Sequence, residues 1–182
     1  HKVVVFEAAP DAGGQVRLAT QSPRRRDLIG IIDWRMSECL ASGVEFRFNI
    51  WAATEDVQYE SPNVVIIATG GMPDMSGLEG GEDLTISAWD ILSGDVAPQD
   101  TVLIFDPVGD HTGLQAAEII AATGASVEIM TPDRSFAPDI MGMNLVPYMR
   151  NLQEKDVTFT VTRRLQSVSR SGNQLIAKIG TD

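Results

Sequence analysis

The chain has 182 residues, 43% of them hydrophobic, which is a globular composition long enough for one domain or two small ones. Its net charge of −11 argues against nucleic acid and anionic membranes as partners, because both bind basic surfaces. No apolar run reaches the length of a membrane span, and the N-terminal residues do not resemble a signal peptide.

The single cysteine, Cys39, indicates a reducing compartment, and we expect the cytoplasm. One cysteine cannot form an internal disulfide, a C-x-x-C redox pair or a cysteine-ligated iron–sulfur cluster within this chain. With only two histidines, we also expect no multi-histidine metal site.

The first segment, 1–7, predicts a buried parallel strand that ends in the carboxylate of Glu7. In a Rossmann unit this pattern is typical of the second strand, whose acid lies roughly 20 residues after the glycine loop and binds a ribose hydroxyl. No glycine loop precedes Glu7 in this sequence. Two interpretations follow: the chain is a fragment of a longer protein, or Glu7 is an ordinary acid at a strand end.

The residues up to 71 continue the α/β pattern. A helix is predicted from Pro23 to about Ser42, ended by Gly43, and is followed by a strand over 44–48. We expect a small antiparallel excursion over 53–59. The apolar run 63–68 gives the clearest strand prediction in the chain, with a tight turn at 69–71.

A second β-α-β unit begins after a segment rich in Gly, Asp, Glu and Ser. Strands are predicted at 101–105 and 126–130, about 25 residues apart, with a helix over 114–123 between them, which suits a parallel pair. The pattern over 138–154 indicates a helix interrupted at Pro147. The segments 157–162, 166–170 and 174–179 predict antiparallel strands.

The sequence therefore predicts an α/β protein made of two pieces. The first, 1–71, lacks its opening strand and helix, the second spans 95–182, and the segment 72–94 crosses between them. Open parallel sheets bind ligands beyond the carboxyl ends of their strands, so the segments after those ends are the candidate sites.

Three segments together resemble the C-terminal region of one flavoenzyme family. It is the family of trimethylamine dehydrogenase, histamine dehydrogenase, 2,4-dienoyl-CoA reductase and the N-methylproline demethylases. The segments are Glu7-Ala8-Ala9, Gly13-Gly14-Gln15-Val16-Arg17-Leu18-Ala19 and Ile66-Ile67-Ala68-Thr69-Gly70-Gly71-Met72-Pro73; the region 105–118 is also similar to the family's second nucleotide fold.

The resemblance implies an N-terminal TIM barrel in the same polypeptide that carries FMN and an iron–sulfur cluster, outside this chain. For this chain it implies a Rossmann-like FAD/NAD(P)-binding fold of the adrenodoxin-reductase and glutathione-reductase type. Residues 1–71 would be a partial domain that holds FAD or ADP, 72–94 the crossover, and 95–182 an inserted NAD(P)-binding-like domain. The site residues of the first domain would be Glu7, Ala8, Gly13, Gly14, Gln15, Ala52, Ala68, Thr69 and Gly70. Glu7 would bind the adenosine ribose, and Gly13 and Gly14 would pass beside the flavin or ADP phosphates, while plain loop or turn roles remain the alternative for each.

The loop 106–113 departs from a glycine fingerprint. If Gly113 is the third glycine, the first two positions hold Val108 and Asp110. A carboxylate there repels a pyrophosphate by about 4 kcal/mol at 4 Å with an effective dielectric near 20. We therefore predict weak or absent NAD(P) binding. In the opposing interpretation Asp110 turns outward, Gly109 and Gly113 shape the turn, and Arg134 receives a 2′-phosphate.

The predicted function is that of a nucleotide-binding part of a flavin-dependent oxidoreductase, an amine dehydrogenase or demethylase, with no catalytic residue in this chain and no turnover by the chain alone. The alternatives are an NADPH-dependent enoyl reductase with a working second site, and a non-catalytic adenine-nucleotide-binding module. A disulfide reductase is disfavoured by the missing C-x-x-C. A homo-oligomer and an electron-transfer flavoprotein are the further partners considered.

Overall fold

The structure is a computed structural model that describes residues 1–181. The chain divides into two compact units, His1–Met72 and the residues from Pro73 onward, and each is described by itself. Both units are α/β structures with parallel sheets.

The first unit contains two parallel strands joined by a helical segment. Its elements are β1 (Val4–Phe6), α1 (Gln15–Ala19), a 3-10 turn (Pro23–Leu28), α2 (Ile29–Ala41), β2 (Glu45–Arg47) and α3 (Thr54–Tyr59). The register pairs Val4 with Glu45 and Phe6 with Arg47. Helix α2 gives way to β2 at Gly43, whose φ of 77° lies in the left-handed region that favours glycine. The strands predicted at 1–7 and 44–48 and the central helix of this unit are confirmed.

Two predictions in the first unit are wrong. Residues 54–59 form helix α3 instead of an antiparallel excursion, because Asp56 Oδ2 accepts the Ala53 N–H and caps the first turn. The segment 63–68 forms no strand: the exposed fractions of Val64 and Ile66 are 76% and 85%, and no strand within residues 1–181 pairs with it. An apolar, β-branched run favours a strand but needs a neighbour whose backbone accepts its hydrogen bonds.

The second unit is a three-stranded parallel sheet with helices packed on it. Its elements are α4 (Ala88–Ser93), β3 (Thr101–Phe105), α5 (His111–Ala122), β4 (Ser126–Met130), α6 (Gly142–Gln153), β5 (Thr158–Thr160), β6 (Arg164–Ser171) and β7 (Gln174–Gly180). The strand order is β3-β4-β5. The core lies between the sheet and helices α5 and α6, where Leu114, Ile129, Tyr148 and Leu152 have no exposed surface.

The end of the chain differs from the prediction in two places. Strand β5 pairs with β4 in parallel, because α6 carries the chain back across the sheet as a second crossover helix. Helix α6 begins at Gly142 and continues through Pro147 instead of being interrupted there. The predicted antiparallel hairpin is confirmed as β6 and β7, which turn at Gly172 with a φ of 58°.

No helix within residues 1–181 is long and apolar enough to cross a membrane. Among the same residues, no group of three or more His, Cys, Asp or Glu side chains could hold a metal ion.

Candidate functional site

The carboxyl ends of β1 and β2 meet at one edge of the first sheet. The Glu7 N–H donates to the Arg47 carbonyl at 3.0 Å and so continues the pairing by one residue beyond β1. The Ile50 N–H donates to the Glu7 carbonyl at 3.0 Å, and the Asn49 N–H donates to the Ala9 carbonyl at 3.2 Å. The loop after β2 is therefore fastened to the loop after β1.

The half-buried Glu7 side chain interacts with its own loop. Its Oε1 accepts the Ala9 N–H at 2.9 Å, which orients the carboxylate at the end of the strand. Ala8, between them, is exposed. Ala52, two residues beyond Ile50, is exposed. Trp51, next to Ala52 in the sequence, is 88% exposed.

Gly13 and Gly14 form the turn that starts helix α1. Both have positive φ, 124° and 45°, and the Gly13 and Gly14 carbonyls accept the N–H groups of Val16 and Arg17, each at 3.0 Å. Arg17 in turn donates through Nε to the Ala12 carbonyl at 2.6 Å. The loop that precedes α1 is therefore held in one conformation by backbone and guanidinium hydrogen bonds.

The structure brings two of the predicted segments together. Gln15 Nε2 donates to the Gly71 carbonyl at 3.4 Å, across 56 residues of sequence. A β-carbon on Gly70, whose φ is 71°, would lie 3.8 Å from the same Gln15 nitrogen. Ala68 and Thr69 are exposed beside this contact. No described contact joins Gln15 to the Glu7 side chain. The predicted residues therefore form two groups, one around Glu7 and one around Gln15, each with its own contacts.

A pocket that the sequence did not indicate opens at the same edge. It has a volume of about 300 Å³ and is lined by Phe6, Arg47, Ile50, Glu55, Asp56 and Tyr59. The Arg47 guanidinium carbon lies 5.4 Å from the centre of the Phe6 ring, in cation–π geometry. The pKa of Arg47 is raised by its hydrogen bonds to Glu60 and Glu45, each at 2.7 Å. The sequence signal for this pocket is limited to Phe6 and Arg47, the final residues of β1 and β2.

At the carboxyl edge of the second sheet, the carboxylates of Asp106 and Asp110 accept backbone N–H groups in the loop after β3 and at the start of α5. Asp106 is 5% exposed, and its Oδ1 accepts the N–H groups of Val108 at 3.2 Å and Gly109 at 3.0 Å. Burial raises the pKa of Asp106 above its ordinary range, and the charges of Asp110 and Asp133 raise it further against those two hydrogen bonds. Sequence reasoning missed Asp106, although its position directly after β3 was a usable signal.

The other residues of the second loop are placed as follows. Gly109 has a φ of 77°, and a β-carbon there would lie 2.5 Å from Pro138 Cδ. Asp110 is half-buried, and its Oδ1 accepts the Thr112 N–H at 2.7 Å and caps α5. Arg134 is exposed in the loop after β4, and Gly113 lies in the first turn of α5.

A polar row on α5 faces α6. His111 Nδ1 lies 3.3 Å from the hydroxyl of the fully buried Tyr148, so His111 takes part in a contact between α5 and α6. Asn151 Nδ2 donates to Glu118 Oε1 at 2.7 Å, and Glu118 is 6% exposed. His111 and Glu118 are seven residues apart on α5, and Tyr148 and Asn151 are three apart on α6, spacings that place each pair on one face of its helix.

The fold defines a class of protein. A solved structure of a 2-naphthoyl-CoA reductase matches with a TM-score of 0.85 and 25% sequence identity, over 100% of this chain and 28% of that one. The chain thus has the fold of one part of this reductase. No family model matches it.

Sequence comparison identifies the family. The chain is 65% identical over 182 residues to a probable N-methylproline demethylase of Rhizobium meliloti (strain 1021), covering 100% of this chain and 27% of that protein. It is 39% identical over 184 residues to an N,N-dimethylglycine/sarcosine dehydrogenase of Chromohalobacter salexigens, covering 97% of this chain and 26% of that protein. The chain belongs to the flavin-dependent oxidoreductase and demethylase family that its motifs indicated, and spans about a quarter of the length of these relatives.

Proposed function

We propose that this chain is the nucleotide-binding part of a flavin-dependent amine demethylase or dehydrogenase. Residues 1–71 would hold the adenosine diphosphate portion of FAD, or ADP itself. The observation that carries the proposal lies at the carboxyl edge of the first sheet. There, beyond the strand ends, hydrogen bonds join Glu7 to Ala9 and Ile50. This is the edge at which open parallel sheets bind nucleotides.

The residues of this edge suit the ribose and diphosphate of an adenine nucleotide. One oxygen of Glu7 is held by the Ala9 amide, and a ribose hydroxyl would donate to the other. Gly14, for which a β-carbon would meet nothing within 4 Å, leaves the backbone of the following turn accessible to a phosphate. Gln15 and Gly70 would border the same ligand, and Ala52 would approach the adenine through its backbone.

The family supports an amine as substrate of the longer protein. A bound flavin would supply the chemistry by accepting a hydride equivalent, and this part of the protein would supply binding and orientation. FMN, an iron–sulfur cluster and the amine site would lie in an N-terminal barrel. We propose no role for NAD(P) at the loop after β3, because Asp106 and Asp110 place two carboxylates there. The chain alone would then oxidise neither NADH nor NADPH.

The segment 63–68 would become a strand in the longer protein. Val64, Val65, Ile66 and Ile67 are 55% to 85% exposed, and a contiguous apolar patch of this kind normally marks a covered surface. Its backbone would pair with a strand outside this chain, in the sheet that contains β1 and β2. The apolar side chains would then be buried on both faces, as in parallel sheets generally.

Calorimetric titration of the full-length protein with ADP, FAD, NADH and NADPH tests this function. Glu7→Ala should weaken ADP or FAD binding about 10- to 100-fold, which is the effect of losing hydrogen bonds to a charged group. Glu79→Ala is the matched control, because Glu79 is exposed in the second unit and lies 4.0 Å from Lys178. Equal affinity of the wild type and Glu7→Ala would rule out the ribose role, and tight NADPH binding would favour the enoyl-reductase alternative.

A further inference from the structure

In the loop after β3, the carboxylate of Asp106 is bound by backbone N–H groups of the same loop. Asp106 is the first residue after the strand, and its buried carboxylate accepts the N–H groups of Val108 and Gly109. In dinucleotide-binding folds, backbone N–H groups of the loop at this place bind the pyrophosphate. Here the hydrogen-bonding capacity of two such amides is taken up by a side chain of the same loop.

Gly113 shows that the carboxylate occupies the space under the first turn of α5. A β-carbon at Gly113 would lie 2.8 Å from both Cγ and Oδ2 of Asp106. In a glycine fingerprint the third glycine allows the helix to pack closely on the strand. In this chain the absence of a side chain at Gly113 makes room for the Asp106 carboxylate.

Asp110 adds a second carboxylate to the same loop. Its Oδ1 accepts the Thr112 N–H at 2.7 Å, so amides of the loop and of the helix start are satisfied internally. The amides of Val108, Gly109 and Thr112 therefore have protein acceptors. An approaching diphosphate would have to displace these acceptors and would be repelled by their charge.

We propose that Asp106 is the built-in occupant of the anion position in the loop after β3, and that it closes this loop to the diphosphate of a dinucleotide. The inference rests on the proposed function in one respect, since it explains why the second unit would not use NAD(P). Asp106 is then a specificity-determining residue, because it disfavours binding of dinucleotides at this loop through their diphosphate. Asp110 acts with it by capping α5.

Hydrogen–deuterium exchange of the segment 107–112 in the full-length protein tests the proposal. The variants are Asp106→Ala and the double variant Asp106→Ala/Asp110→Ser, in which serine keeps a capping oxygen. Asp106→Ala should speed exchange of the Val108 and Gly109 amides about tenfold, because each loses a charge-assisted hydrogen bond. Millimolar inorganic pyrophosphate should slow exchange again in the double variant and leave the wild type unchanged.

Asp106→Asn keeps the test decisive if the alanine variants fail to fold. A neutral amide oxygen is a weaker acceptor than a carboxylate, so exchange should rise about threefold. The inference is overturned if Asn and wild type exchange equally, or if pyrophosphate does not slow exchange in a folded double variant. Protection of wild-type 107–112 by NADH would overturn both this inference and the proposal that the second unit does not use NAD(P). Unchanged exchange in the variants without NADH protection of the wild type would overturn this inference alone.

Discussion

Gly13 and Ile32 lie so close together that position 13 has no room for a side chain. A β-carbon on Gly13 would overlap Ile32 Cδ1 and lie 3.0 Å from Ile32 Cγ1, and Gly13 has a φ of 124°. Ile32 is the buried residue of α2. The loop that carries the candidate nucleotide-binding glycines is therefore packed directly on the helix between the two strands.

The first prediction tests this contact by replacing Gly13 with alanine. We expect Gly13→Ala to lower the free energy of unfolding by about 1–3 kcal/mol, because it combines backbone strain with overpacking. Gly30→Ala is the control, since a β-carbon there meets nothing within 4 Å in helix α2 and should stabilise by about 0.5–1 kcal/mol. Urea unfolding monitored by circular dichroism measures both. Similar effects of the two substitutions would refute the close packing.

The second prediction concerns the core of the second unit. Leu152 is fully buried and Met143 is 90% exposed, although both lie in α6. Leu152→Ala should cost about 2–5 kcal/mol through lost burial and the cavity it leaves. Met143→Ala should change stability by less than about 0.5 kcal/mol. Thermal and chemical unfolding of the two variants give the comparison, and a large loss from Met143→Ala would mean that its side chain is covered in solution.

The third prediction follows from the raised pKa of Asp106. Because burial raises its pKa in the folded state, this carboxyl binds a proton more tightly when folded, and ionising it there costs stability. That cost is absent below the unfolded pKa of about 3.9 and grows until the pH passes the raised folded pKa. Asp106→Asn cannot ionise, so its stability relative to wild type should increase as the pH rises through this window.

Unfolding curves at a series of pH values check the third prediction. Asp74→Asn is a useful comparison with the opposite sign, because hydrogen bonds from Ser76 lower the pKa of the exposed Asp74. A constant difference between wild type and Asp106→Asn at all pH values would contradict the raised pKa.

The fourth prediction tests whether 63–68 is covered in the longer protein. Ile66 is 85% exposed in this chain, so Ile66→Lys should leave its unfolding free energy within about 0.5 kcal/mol. In the full-length protein the same substitution should cost several kcal/mol, because it would bury an unpaired charge. Melting temperatures of the full-length wild type and variant decide the question, with Glu79→Lys as an exposed control. An unchanged melting temperature would show that the segment stays exposed.

The strands could be predicted where an apolar run also has a partner strand in the same unit. The runs at 3–6, 101–105 and 126–130 have partners in the same unit, so their preference and their pairing coincide. The run at 63–68 has the same composition but no partner among residues 1–181, and composition does not supply one. Residues 54–59 form a helix because the Asp56 carboxylate caps its first turn, and their mixed polarity does not indicate that contact.

The sequence by itself determined the α/β class, the parallel pairs β1–β2 and β3–β4, and the family, because these depend on local periodicity and on motifs along the chain. Glu7 could be placed at a strand end for the same reason. Only the tertiary structure decided that Gln15 donates a hydrogen bond to Gly71 and that β5 pairs with β4 in parallel. It also decided that the Asp106 carboxylate packs against Gly113. Those facts depend on distances between residues far apart in sequence or on side-chain direction, and a linear pattern encodes neither.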